Sequence, residues 1–260
     1  MTSVRLPATA SVEEFRAELR NGLNTPFDKE RKWGDAKWGC YAFYDYDKQP
    51  IYVGQTIERL RVRVGRHLTN QRTDVVAMRI LDVFEVAEVE LFPLWEYQEV
   101  TTRSPEFPAA KRHLDALEFA LYQKVIQKSL FQAVLNEQLP RNPGPLDSLP
   151  PSLRFSVAGG ATRAEREHDD VRLARRAETI SRLAAVAHER GNVTPNLRRV
   201  LVVQAARLTL LAAARLAEAT GNPKPEASLI DLKHLVFDMF DHTDLNYRQA
   251  PGDDDEPDEA

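Results

Sequence analysis

The chain has 260 residues, 43% of them hydrophobic, 8% aromatic and 28% charged, a composition that excludes a disordered or fibrous protein and fits a globular one. Its length suits a catalytic domain with a second, smaller unit, and its single cysteine, Cys40, excludes an intramolecular disulfide and any multi-cysteine zinc or iron–sulfur site, as expected in a reducing compartment. The formal net charge of −4 does not exclude nucleic acid, because Asp253, Asp254, Asp255, Glu256, Asp258 and Glu259 leave +2 on the rest of the chain.

The first residues lack the basic-then-apolar run of a signal peptide, and no stretch approaches the roughly 18 uninterrupted apolar residues of a bilayer span. A cytoplasmic location without membrane association is therefore expected. Ser11 followed by Glu14 makes a capping-box start, and Val12, Phe15, Leu19 and Leu23 predict a short amphipathic helix over 12–23 within an N-terminal extension, 1–29. Two β-rich runs follow, 39–46 and 51–54, separated by Asp-Lys-Gln-Pro, the turn residues of a hairpin.

Leu60, Val64 and Leu68 lie four residues apart on one stripe, with Arg59, Arg63 and His67 on a neighbouring one, which predicts a helix over 59–70. A second helical piece is expected over 74–81. Residues 85–91 alternate with period two and read as a third strand. Leu114, Leu117, Leu121 and Val125 trace one face of a longer helix over 109–127, with Pro108 at its entrance.

Residues 138–151, rich in Pro and Gly, read as linker, and the texture then changes to Ala, Leu and Arg at helical spacing. Helices are expected over 163–190, 195–220 and 229–241, the first two closed by Gly191-Asn192 and Gly221-Asn222-Pro223. The predicted organisation is an α+β unit over 30–140, a linker over 141–154, an all-helical domain over 155–245 and an acidic, disordered tail over 246–260. A tail that mimics DNA phosphate is the alternative for that last segment.

The sequence has no glycine-rich phosphate loop ending in Lys-Ser or Lys-Thr, no His-Glu-x-x-His, no dinucleotide fingerprint and no Gly-x-Ser-x-Gly. What remains is a constellation along the hairpin and the two helices after it. Glu118 falls inside an apolar stripe, where an unpaired carboxylate costs several kcal/mol and a hard cation would relieve it; the bland reading is that it reaches solvent at the edge of the stripe. Arg63 and His67 project from one helix face, suited to holding a phosphate and to relaying a proton. Arg59, Arg61, Arg66 and Arg72 extend that face into a basic ridge for a nucleic-acid backbone, or simply solvate it. Tyr41 and Tyr52 lie on the paired strands near Gly39 and Gly54, as packing residues or as phenols placed to take a proton from water.

Gly39-Cys40-Tyr41, ten intervening residues, Tyr52-Val53-Gly54-Gln55-Thr56, then Arg63, His67, Glu118 and Leu135-Asn136 resemble the ordered motifs of the GIY-YIG endonuclease family over 37–137. Cys40 replaces the aliphatic residue usual in the first triplet and Val53, itself aliphatic, the one usual in the second, both conservative packing changes, and the interval from Glu118 to Asn136 is longer than the family pattern. The resemblance implies a small three-stranded antiparallel sheet flanked by helices, followed here by an all-helical domain that matches no family we can name. It implies cleavage of DNA with one Mg²⁺ or Mn²⁺ ion held by Glu118. Tyr41 and Tyr52 would act as or assist the general base and position water or phosphate, Arg63 would stabilise the phosphate charge, His67 would assist proton transfer, and Asn136 would brace the site.

A nuclease fold kept only as a nucleic-acid-binding or partner-binding module is the competing reading, opposed by the intact set of Tyr41, Tyr52, Arg63, His67 and Glu118. Within enzymes, restriction or phage defence is expected ahead of repair, recombination or a mobile element. One active site per chain favours a homodimer for cutting both strands. Arg163, Arg166, Arg172, Arg175, Arg176 and Arg182 can present DNA contacts from the first long C-terminal helix, or solvate a helix that also bears Glu165, Glu167 and Asp169.

Overall fold

The computed structural model describes residues 8–69, 81–131, 133–136, 140, 142–191 and 193–236. Helix α1 (Ala10–Leu23) precedes strands β1 (Gly39–Tyr44) and β2 (Pro50–Thr56), helix α2 (Leu60–Thr69) and strand β3 (Glu88–Pro93). Helix α3 (Phe107–Lys128), strand β4 (Leu153–Ser156) and helices α4 (Gly160–Glu167), α5 (Asp169–Arg190), α6 (Pro195–Thr220) and α7 (Leu232–Val236) complete it. The expected helix over 74–81, Arg72, the tail and the end of the last predicted helix lie wholly or mainly outside the described residues.

The sheet is antiparallel, in the order β2-β1-β3-β4, so the α+β class holds but the sheet has four strands among the described residues, not three. The added strand, β4, pairs with β3 from Glu88↔Ser156 to Leu91↔Leu153. It is only four residues long, too short for its alternation to stand out beside the Pro-rich stretch. The expected linker over 141–154 therefore ends inside the sheet.

The period of two along each strand divides the sheet into two faces. Cys40, Ala42, Tyr44, Val53 and Phe92 face α3, where Leu114, Leu117, Leu121 and Val125 complete a buried cluster. Tyr41, Phe43, Val89 and Leu91 belong to a second cluster with Phe15 and Leu19 of α1, Leu60, Val64 and Leu68 of α2, Leu183 of α5, and Val200 and Val203 of α6. Sheet and C-terminal helices thus share one core. By length and composition α6 also suits a membrane span, but the side bearing Leu197, Val200, Val203 and Leu211 is buried within the protein.

The capping box at Ser11 and Glu14 does not form. Thr9 is the N-cap and makes no side-chain cap bond, while Glu14 accepts a hydrogen bond from Thr162 of α4. The single helix expected over 163–190 breaks at His168, which adopts ψ 127° and whose Nδ1 accepts from the amide of Asp170 at 3.2 Å. That break turns the C-terminal arginines inward. Arg172, 2% exposed, pairs with Asp47, and Arg176 donates to Glu85 at 2.9 Å. Arg207 of α6 donates to Asp45 at 2.8 Å, Arg175 pairs with Asp82 at 2.7 Å, and Arg166 donates to the carbonyl of Ser11 at 3.0 Å.

Arg172, Arg175 and Arg176 are therefore engaged within the fold rather than presented to DNA, because buried Asp45, Asp82 and Glu85 on the sheet side require counter-charges, and Arg166 is engaged by the Ser11 carbonyl and the Phe15 and Phe84 rings. Arg163 and Arg182 stay at the surface, each beside a glutamate of its own helix. Removing one partner of a buried pair strands the other charge. Arg176→Met is expected to lower stability by about 3 kcal/mol, read as a fall in the urea midpoint, without weakening DNA binding by the folded protein.

Candidate active site

Helix α2 packs through Leu60, Val64 and Leu68, all buried, and this orientation turns Arg63 and His67 toward the Tyr41 face of the sheet. Tyr41 is fully buried, and its Oη lies 3.2 Å from Nε2 of His67. Tyr52, opposite Phe43 in the register, stacks on Phe43 with centroids 5.6 Å apart and on Tyr41 at 6.2 Å; its ring is 5.5 Å from that of His67. Two phenols and an imidazole thus share one aromatic cluster.

Gly54 sits opposite Tyr41 in the strand pair, and a Cβ there would lie 2.5 Å from the Tyr41 Oη. The phenol therefore occupies the space a side chain would take. Gly39 is required for a different reason, since its Cβ would meet the carbonyl oxygen of Phe92 at 2.5 Å. It serves the strand pairing, not the chemistry.

From the opposite face of the sheet, α3 contributes Glu118. Its Oε2 accepts from Nε2 of Gln55 at 2.9 Å, and the same amide nitrogen donates to Oδ1 of Asp115 at 2.9 Å. Lys111 donates to Asp115 at 2.5 Å and to Oε1 of Gln55 at 3.3 Å. Burial pushes the Glu118 carboxyl up to about 7; Lys111, Gln55 and Arg63 oppose the rise and Asp115 adds to it. The Arg63 guanidinium donates a hydrogen bond to the Tyr41 phenol oxygen and interacts electrostatically with Glu118, which ties the two faces at this end of β2.

Burial, together with the charges of Arg63 and Arg66, holds the imidazole of His67 down at about 4, and burial pushes the Tyr41 phenol well above its ordinary value. At neutral pH both groups are uncharged. With its proton on Nδ1, the imidazole accepts the phenol O–H at Nε2.

Of the predicted site residues, Tyr41, Tyr52, Arg63 and His67 come together on the Gly54 side of β2, and Glu118 approaches from the opposite face, bonded to Gln55 and within electrostatic reach of Tyr41 and Arg63. Asn136 does not enter the cluster; its Oδ1 accepts from the amide of Val53 at 3.1 Å and its Nδ2 donates to the Val53 carbonyl at 2.6 Å, so it braces β2 from outside. In the basic ridge, Arg61 pairs with Asp35 at 2.8 Å and Arg66 with Glu58 at 2.8 Å, while Arg59 is exposed. The sequence by itself gives Gln55, Asp115 and Lys111 no role. Their signal was the spacing of Lys111, Asp115 and Glu118, at i, i+4 and i+7 on one helix face.

Residues 37–102 match the family model of the GIY-YIG catalytic domain, so this part of the chain has a nuclease-type fold. Tyr41, Tyr52, Gly54, Arg63 and His67 fall inside the match, and Glu118 lies beyond it but is brought to the same place by α3. No curated protein and no solved structure matches the chain.

Because the folded protein raises the Glu118 pKa from 4.5 to about 7, it favours the protonated form, and stability falls as pH rises from about 4.5 to about 7 and levels off above. Glu118→Gln is expected to raise Tm at pH 8, with the gain vanishing near pH 4. Thermal melts at the two pH values check it. Gly54→Ala is expected to lower stability by about 2 kcal/mol by overpacking against Tyr41, read in the urea midpoint.

Proposed function

We propose that this protein is a metal-dependent endonuclease that hydrolyses phosphodiester bonds in DNA. The observation that carries the reading is the Tyr41–His67 pair with the Arg63 guanidinium beside it and the desolvated Glu118 carboxyl within electrostatic reach of Tyr41 and Arg63 at one end of β2. A binding module needs the arginine but has no use for a carboxyl in a desolvated position.

The donor set fits a hard divalent cation. Glu118 and Asp115 offer carboxylate oxygens one helical turn apart, and no group of three or more His, Cys, Asp or Glu able to hold a metal occurs among the described residues. Mg²⁺ and Mn²⁺ suit one or two carboxylates, with water and phosphate as the remaining ligands. Glu118 would hold the ion, which when bound would neutralise charge at the scissile phosphate.

The side chains account for the proton and the phosphate charge. His67, neutral at working pH, accepts a hydrogen bond from the Tyr41 hydroxyl; as the water oxygen bonds to phosphorus and the water becomes acidic, its proton passes to the phenol oxygen while the phenol proton moves to His67. The bond to the leaving sugar oxygen breaks as the new bond forms, the relayed proton is returned to that oxygen, and the Arg63 guanidinium meets the growing negative charge. Tyr52, stacked against Tyr41, keeps the phenol in line.

A plasmid-cleavage assay with Mg²⁺ or Mn²⁺ tests the proposal. Wild type is expected to cut, while Glu118→Ala and Arg63→Ala lose at least about 100-fold in rate; intact DNA with either metal, or full activity in Glu118→Ala, would overturn it. Metal must displace a proton from Glu118, so the rate at limiting Mg²⁺ should rise through pH 7, and saturating Mg²⁺ should move that rise to lower pH. Sequencing the product ends reads strand and site, and a short recurrent site would support the restriction or phage-defence role expected from the sequence.

A further inference from the structure

Arg199 stands in the first turns of α6, far along the chain from the matched segment, and is 9% exposed. Its Nη2 donates to the backbone carbonyl of Asn136 at 2.9 Å, and its Nε has no partner among the described residues. No carboxylate pairs with it among them either, and burial pulls its pKa below the usual arginine value. A guanidinium without a counter-charge costs several kcal/mol in the interior. Packing alone would favour methionine or leucine at this position.

What Arg199 holds is the strip of residues 133–136 that closes the outer edge of β2. The Leu135 amide donates to the carbonyl of Ile51 at 2.8 Å, and the Asn136 side chain brackets both backbone groups of Val53. Ser129 fixes the near end of the strip by donating to the Ala133 carbonyl at 2.9 Å, and Arg199 fixes the far end. On the other side of Val53's backbone groups, the same strand carries Tyr52, Gly54 and Gln55. An unpaired sheet edge has no register of its own, and a misplacement of about 1 Å at a reacting centre can cost on the order of 100-fold in rate.

We propose that Arg199 is a positioning residue for the active site: by holding the Asn136 carbonyl it fixes the strip against β2, and so sets where Tyr52, Gly54 and Gln55 stand. The helical half of the chain is then part of the catalytic apparatus and not an appended unit. This inference rests on the endonuclease reading.

The test uses the full chain and measures kcat and KM on one DNA substrate. Arg199→Met is expected to lower kcat about tenfold or more with KM within about twofold, and Arg199→Lys, which keeps a donor for the carbonyl, to recover part of the loss. Arg207→Met removes another buried arginine of α6, one whose partner Asp45 lies at the turn end of the β1–β2 pair. It should lose comparable stability in urea with kcat per folded molecule unchanged. Asn136→Ala should lower kcat, and Arg199→Met added to it should lower kcat little further. An Arg199→Met kcat equal to wild type, a loss no greater than in Arg207→Met, or full additivity with Asn136→Ala would overturn the inference. If wild type cuts no DNA, it is the endonuclease reading that fails; amide exchange then still decides, since exchange at Val53 should be faster in Arg199→Met, or in Arg199→Lys if that alone folds, than in Arg207→Met, and equal exchange would overturn the positioning role.

Discussion

The site depends on a missing side chain. Tyr41 points its phenol across the neighbouring strand into the space where residue 54 would carry a Cβ, and only glycine leaves that space open. Once there, the phenol oxygen is within reach of His67 from α2 and of the electrostatic field of Glu118 from α3. The two helices lie on opposite faces of a thin sheet, and the Tyr41 phenol at Gly54 stands between them. Displacing the phenol would break its hydrogen bond to His67 without touching that residue.

Both ionisable partners are shaped by the dry surroundings. Burial keeps His67 neutral, which leaves its Nε2 available as an acceptor, and the same burial makes Glu118 reluctant to ionise. A carboxyl held near neutrality weakens the folded state at the pH where it would be used. The fold accepts this because the remainder is well packed: two apolar clusters flank the sheet, and the arginines of α5 and α6 satisfy Asp45, Asp82 and Glu85 beneath the hairpin turn. Buried pairs of this kind contribute little net stability but strongly penalise any arrangement that parts them. They fix the C-terminal helices against the sheet in one register.

The sequence by itself determined the hairpin, α2, α3 and α6, because each has an uninterrupted apolar period, and in α6 a Pro at the start and a left-handed Gly221 at the end. It also singled out, by type and order, Tyr41, Tyr52, Gly54, Arg63, His67 and Glu118, which the fold then places at one end of β2. Such signals are local, set by spacing along one element.

Tertiary structure alone decided the rest. Four residues of β4 have too short an alternation to be read without the open edge of β3 beside them, and Glu14, inside a helix that starts at Thr9 rather than Ser11, takes its partner from Thr162 of another helix. A charge on a helix has no direction in sequence, so the arginines of α5 looked equally ready for solvent, for DNA or for buried carboxylates. Arg199 is the clearest case. Nothing in its neighbours along the chain distinguishes it, and only the meeting of α6 with the strip beside β2 gives its guanidinium a carbonyl to hold.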